Sequence, residues 1–138
     1  MSQENVEVVR RLTSTAGGDL TGWLEFMSPD IELHMSGVFP DLPPVYRGHD
    51  GVRQFVAHFV TTWEELIPDT YRFEDLGDRV LTLTHLRGRG RNGIEAVLEM
   101  GHVWTFREGL IVRMDAFADP RKALEAVGLS EQDAHADS

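Results

Sequence analysis

The second half of the chain constrains the fold most, because its side chains alternate with a period of two between glycine-bearing turns. The spacing predicts strands over 69–76, 79–91, 94–107 and 110–118, joined at Gly77-Asp78, Asn92-Gly93 and Glu108-Gly109. Strands joined by such short turns run antiparallel, so this half reads as a meander. The first half is helical by contrast. Val6, Val9 and Leu12 recur at helical spacing within 3–16, behind Ser2 as N-cap and ahead of Gly17-Gly18. A short second helix behind Asp19 carries Leu20, Trp23, Leu24 and Met27 and ends near Pro29, and residues 31–35 alternate as a short strand. After a loop with Pro40, Pro43 and Pro44, a third helix from Asp50 sets Val52, Phe55, Val56, Phe59, Val60 and Trp63 on one stripe, with Pro68 beyond its end. A closing helix over 120–127 has Asp119 as cap, Pro120 at its first position and Gly128 after it. The order gives an α+β layer fold, with one domain over 1–129 and a polar tail over 130–138 expected to be disordered.

Parity along the strands decides which residues meet. In 94–106 the even positions are Ile94, Ala96, Leu98, Met100, His102, Trp104 and Phe106, so His102 is the ionisable group on that strand's buried face. Asn92-Gly93 suits a two-residue type I′ turn, which pairs Arg91 with Ile94 and brings Leu81, Leu83 and His85 onto the face of His102. Glu108-Gly109 leaves two registers open. A two-residue turn sets His102 opposite Asp115 as a His–carboxylate dyad. A bulged loop over Arg107-Glu108-Gly109 sets it opposite Met114, with Leu110, Val112, Met114, Ala116 and Ala118 inside and Arg113 and Asp115 outside. A one-residue slip exchanges the faces, and the apolar pattern favours the bulged loop.

Composition narrows the partners. Thirteen basic against 23 acidic residues give a formal charge of -10, a field that repels nucleic acid and anionic membrane surfaces. Zero cysteines exclude disulfides, thiolate metal sites and a cysteine nucleophile. No apolar run reaches a membrane span and no signal-peptide pattern opens the chain, so a cytoplasmic location is expected.

Three segments resemble the SnoaL-like family of the nuclear-transport-factor-2-like superfamily. They are Tyr46-Arg47-Gly48-His49-Asp50-Gly51 with the stripe to Trp63, the run from Gly101 to Arg113, and the closing run from Asp119 to Leu129. The resemblance implies a cone-shaped, bent antiparallel sheet wrapped around a long helix, an enclosed apolar pocket, and a homodimer without cofactor. The superfamily hosts cyclases, isomerases, hydrolases, dehydratases and non-catalytic binders, so the likeness speaks to fold more than to activity. The ketosteroid-isomerase positions correspond to His102, Arg11 and Met35 here, two of which do not match that chemistry. The buried Asp–Arg–Asp set of limonene-epoxide-hydrolase-like enzymes has no counterpart, since no acidic residue lies between Arg79 and Ile94. The Asp–His pair of SnoaL-type cyclases is matched by His102, without an assigned Asp.

The candidate site follows from these readings. His102 is the leading acid/base candidate, because a neutral imidazole can take a proton made acidic by a neighbouring carbonyl. The plainer alternative is a core histidine. His85 joins it if the hairpin register holds. Met35, Tyr46, Phe59, Trp63, Met100, Trp104 and Met114 are the expected apolar wall, with the Tyr46 phenol as a hydrogen-bond donor into the pocket. Arg87, Arg89 and Arg91 read as a solvated hairpin end, and His34, His49 and His58 as exposed or loop positions. The expected ligand is an apolar small molecule bearing a carbonyl. Proton transfer of the cyclase, isomerase or lyase type and non-catalytic binding both remain open.

Overall fold

The computed structural model describes residues 2–14, 20–35, 38 and 42–129. The reading of Gly17, Gly18, Asp19, Pro40 and the 130–138 tail therefore falls outside the described residues. Helices α1 (Ser2–Ser14) and α2 (Leu20–Glu25) precede strands β1 (Met27–His34) and β2 (Val45–Arg47). Helix α3 (Gly48–Thr62) leads into β3 (Trp63–Asp75), β4 (Arg79–Gly90), β5 (Glu95–Arg107) and β6 (Leu110–Phe117), and α4 (Pro120–Ala126) closes the fold. The strands form a six-stranded sheet in the order β2-β1-β6-β5-β4-β3. All neighbours pair antiparallel except β1 with β6, which run parallel.

Helices α1 and α3 lie on the inner face and bury Val9, Leu12 and Val52 against Ile31, Leu33, Met100, Trp104 and Ile111. Burying each such side chain contributes about 1.5–3 kcal/mol, so this layer dominates the fold's stability. The outer face is covered at one end by α4, whose Ala123 and Leu124 pack on Leu81, Leu83 and Val103. Helix α4 has the predicted cap: the Asp119 carboxylate accepts the Arg121 backbone N–H at 2.9 Å, and that bond holds its pKa below the ordinary carboxylate value. At its other end Gly128 N–H donates to Glu125 O and Leu129 N–H to Leu124 O, a Schellman closure.

Several expected boundaries and registers differ. Met27 opens β1 rather than riding on α2, because the Ile111 N–H donates to Phe26 O and draws the chain into the sheet. Trp63 begins β3 rather than ending α3. This strand is the sheet edge, where Pro68 is tolerated. The β4–β5 turn is not the two-residue form. Gly90 and Ile94 close a three-residue loop, with Gly93 at a φ of 85°. The slip sets Thr82 opposite His102 and Thr84 opposite Met100, which turns Leu81, Leu83 and His85 to the outer face.

The β5–β6 hairpin takes neither expected pairing. Arg107 pairs with Leu110 around a two-residue turn in which Glu108 and Gly109 both have positive φ. A register shift between Thr105 and Phe106 then displaces the ladder by one residue, so His102 lies opposite Ala116. The shift keeps Met114 and Ala116 buried and leaves Arg113 and Asp115 on the outer face, as the apolar pattern selects, whereas on the turn side of it Ile111 is buried in place of the expected Leu110 and Val112.

Candidate functional site

Between the inner sheet face and the helices lies a half-open cavity of about 300 Å³, rather than the fully enclosed pocket expected. Its wall is built from every layer: Trp23 from α2, Phe55 and Val56 from α3, Trp63, Leu66 and Pro68 from β3, Leu86 from β4, and Met100, His102 and Trp104 from β5. Met35, just past the end of β1, completes the apolar lining. Alternation along β5 delivers its three residues, since positions 100, 102 and 104 share one face. Trp63 reaches the wall because Gly88 has no side chain. A Cβ there would sit 2.6 Å from the indole Cε3.

His102 brings an imidazole to this mostly apolar wall, which Thr13, Glu64, Thr70 and Thr84 also line. Its Nδ1 is buried and has no hydrogen-bond partner among the described residues. Its ring lies 5.9 Å from that of Trp104. Burial makes the imidazolium costly and lowers the pKa to about 4, so the ring is neutral at pH 7. The carboxylate partner that the two-residue register would have supplied is not beside it, in line with the apolar pattern's preference for Asp115 outside. Asp115 accepts Arg113 in a bidentate pair at 2.9–3.1 Å on the outer face. Glu64 is the other ionisable residue of the described lining. It is 54% exposed at the rim, with Arg89 at 3.9 Å.

Of the predicted wall, Met35, Trp63, Met100 and Trp104 line the cavity together with His102. His85 does not join them. It faces outward with 45% of its side chain exposed, 3.7 Å from Glu99 and with its ring centroid 4.6 Å from that of Tyr71 at a tilt of 59°. Tyr46 is buried, but its hydroxyl shares a 2.7 Å hydrogen bond with His58 Nδ1 instead of entering the cavity. Its ring backs Phe55 edge-on at 5.4 Å, and burial raises its pKa. His58 is thus a half-buried partner rather than a free surface residue. Met114 packs in the core opposite Trp104, outside the cavity wall. The Phe59 side chain lies outside the described residues.

Sequence reading missed Thr70, Thr84 and Leu86, which all line the cavity. The signal was present. In the observed register the even positions of β4 face inward, and the absent side chain of Gly88 marks where the strand passes beneath the Trp63 ring. Among the described residues no three His, Asp or Glu side chains group as metal ligands, and no helix is long and apolar enough to cross a membrane.

Comparison with known proteins agrees with this architecture. The family of the SnoaL-like domain matches residues 8–114. TerC, crystallised with polyporic acid, is 29% identical with a TM-score of 0.74, covering 90% of this chain and 98% of its own. A nuclear-transport-factor-2-like protein of unknown function from Burkholderia pseudomallei K96243 is 28% identical with a TM-score of 0.69, covering 91% and 93%. A protein of Jannaschia sp. CCS1 assigned as a SnoaL-like polyketide cyclase shares the fold at 20% identity and a TM-score of 0.73, covering 83% and 85%. No curated protein matches the sequence.

Proposed function

Since the chain belongs to the SnoaL-like domain family, which includes cyclases and isomerases, we propose that it binds an apolar, carbonyl-bearing small molecule in the cavity at His102. One observation carries this reading: a buried imidazole nitrogen without a partner among the described residues, in a mostly apolar wall. Leaving a buried polar atom unsatisfied costs about 1–3 kcal/mol, and a flip of the imidazole ring that turns this nitrogen toward the cavity would let a ligand hydrogen bond recover it. The crystallisation of TerC with polyporic acid supports a small-molecule occupant for this cone. The exposed apolar residues Ile67, Tyr71 and Val97 on the outer face support a homodimer as the working form.

The second reading is cofactor-independent proton transfer of the cyclase, isomerase or lyase type. It is favoured by the neutral state of His102, which leaves a lone pair available beside a bound carbonyl. A pKa near 4 makes the empty-pocket imidazole a weak base. The enolate formed by proton removal would stabilise the imidazolium and raise that pKa.

A thermal-shift screen of apolar ketones against wild type and His102→Ala tests both readings. A ligand at 100 times its dissociation constant stabilises the fold by about 2.7 kcal/mol. Binding reduced in His102→Ala supports the pocket at His102, and binding unchanged in it removes His102 from the site. Turnover of a bound ketone that disappears in His102→Ala selects the enzyme over the binder. Stabilisation without turnover selects the binder.

A further inference from the structure

The inner sheet face carries hydroxyls that the His102 contact leaves unused. Thr70 on β3 and Thr84 on β4 face each other across the ladder and share a 2.9 Å Oγ1···Oγ1 hydrogen bond. Both line the cavity, and Thr84 is 4% exposed. Two threonine hydroxyls bring two protons and four lone pairs. Their mutual bond consumes one proton, and the other finds no acceptor among the described residues. Thr82, by contrast, is committed elsewhere. Its hydroxyl accepts the Trp104 indole N–H at 3.0 Å, and it does not reach the cavity.

Register fixes the relation of this pair to His102. Thr84 lies opposite Met100 and Thr82 opposite His102, so Thr84 and His102 are diagonal neighbours across the ladder. Such neighbours stand about 7–8 Å apart. Two polar points at that span therefore interrupt a wall otherwise made here of Leu86, Met100 and Trp104. The charged group of the described lining is Glu64, paired at the rim with Arg89, and no Lys or Arg is part of that lining, which disfavours a carboxylate ligand.

We infer that the Thr70–Thr84 hydroxyl pair is a second polar subsite, and that the ligand is an uncharged compound with two oxygen functions on an apolar frame. One oxygen meets His102 and the other meets the hydroxyl pair. This rests on the proposal that the cavity holds a small molecule at His102. The pair selects the ligand and positions it. It has no part in moving protons.

Calorimetric titration with two matched probes tests the subsite. 1,4-Naphthoquinone carries two carbonyls on a two-ring frame, and 1-tetralone carries one. Wild type is expected to prefer the dione by about tenfold, the worth of one hydrogen bond in an apolar site. Thr70→Val/Thr84→Val should lose that preference while keeping its affinity for 1-tetralone, which also reports that the variant is folded. Thr70→Ser/Thr84→Ser, which restores the hydroxyls, should keep the preference. Equal wild-type affinities, or a preference that survives in the valine variant, would overturn the subsite and leave the pocket standing. If neither compound binds wild type, the pocket proposal fails and the subsite falls with it.

Discussion

At the scale of single residues, His102 sets the most specific expectation. Its pKa is lowered from 6.5 to about 4 by burial, so the folded chain refuses a proton that the unfolded chain binds between those values. Stability is therefore full above pH 6.5, declines as pH falls through the window, and levels off below 4. Part of the ring borders the cavity, which softens the penalty to about 1–3 kcal/mol. Denaturant melts of wild type and His102→Leu from pH 7 to 4 should diverge by that amount, with the variant flatter. Parallel curves would show an imidazole that titrates normally. Tyr46 offers a contrasting case. Tyr46→Phe deletes its bond to His58 and should cost about 1 kcal/mol of stability while leaving ketone binding unchanged. Loss of binding in that variant would return the phenol to the cavity. Parity alone was enough to read His102, Met100 and Trp104. The direction of the Tyr46 hydroxyl was not legible, because it depends on where α3 places His58.

At the scale of elements, close approaches carry the account. The outer face admits α4 only because Gly101 lacks a Cβ, which would lie 2.4 Å from the Ala123 Cβ. Gly101→Ala should push α4 off Leu83 and cost about 1–3 kcal/mol in a urea melt, with an unchanged midpoint arguing that α4 docks elsewhere. The strands of the meander, the stripe of α3 and the capped α4 were all legible in the sequence, since period and caps are local signals. The β4–β5 register was not. Asn92-Gly93 fits a two-residue turn and a three-residue loop equally well, and Leu81, Leu83 and His85 make as apolar a face as Thr82, Thr84 and Leu86. Covering the outer face with α4 removes the usual rule that the apolar face points inward. The same local ambiguity hid Trp63, which continues the helical stripe in sequence yet pairs with Gly90 at the start of an edge strand.

At the scale of the whole molecule, the sheet, curled over α1 and α3, leaves a mostly apolar cavity with His102 in its wall. Its outer face sets Ile67, Arg87 and Val97 in one cross-strand row, with Ile67 44% and Val97 63% exposed. A homodimer that covers such a row should give a particle of twice the 15.6 kDa chain mass by light scattering, and a 15.6 kDa particle would contradict it. We propose His102 as a neutral imidazole in direct contact with a bound small molecule. The most direct measurement is the NMR titration of the His102 ring resonances with and without saturating 1-tetralone. A midpoint near pH 4 in the free protein and a displaced ring resonance in the complex are expected. A midpoint near 6.5 together with resonances that ignore the ketone would contradict the proposal.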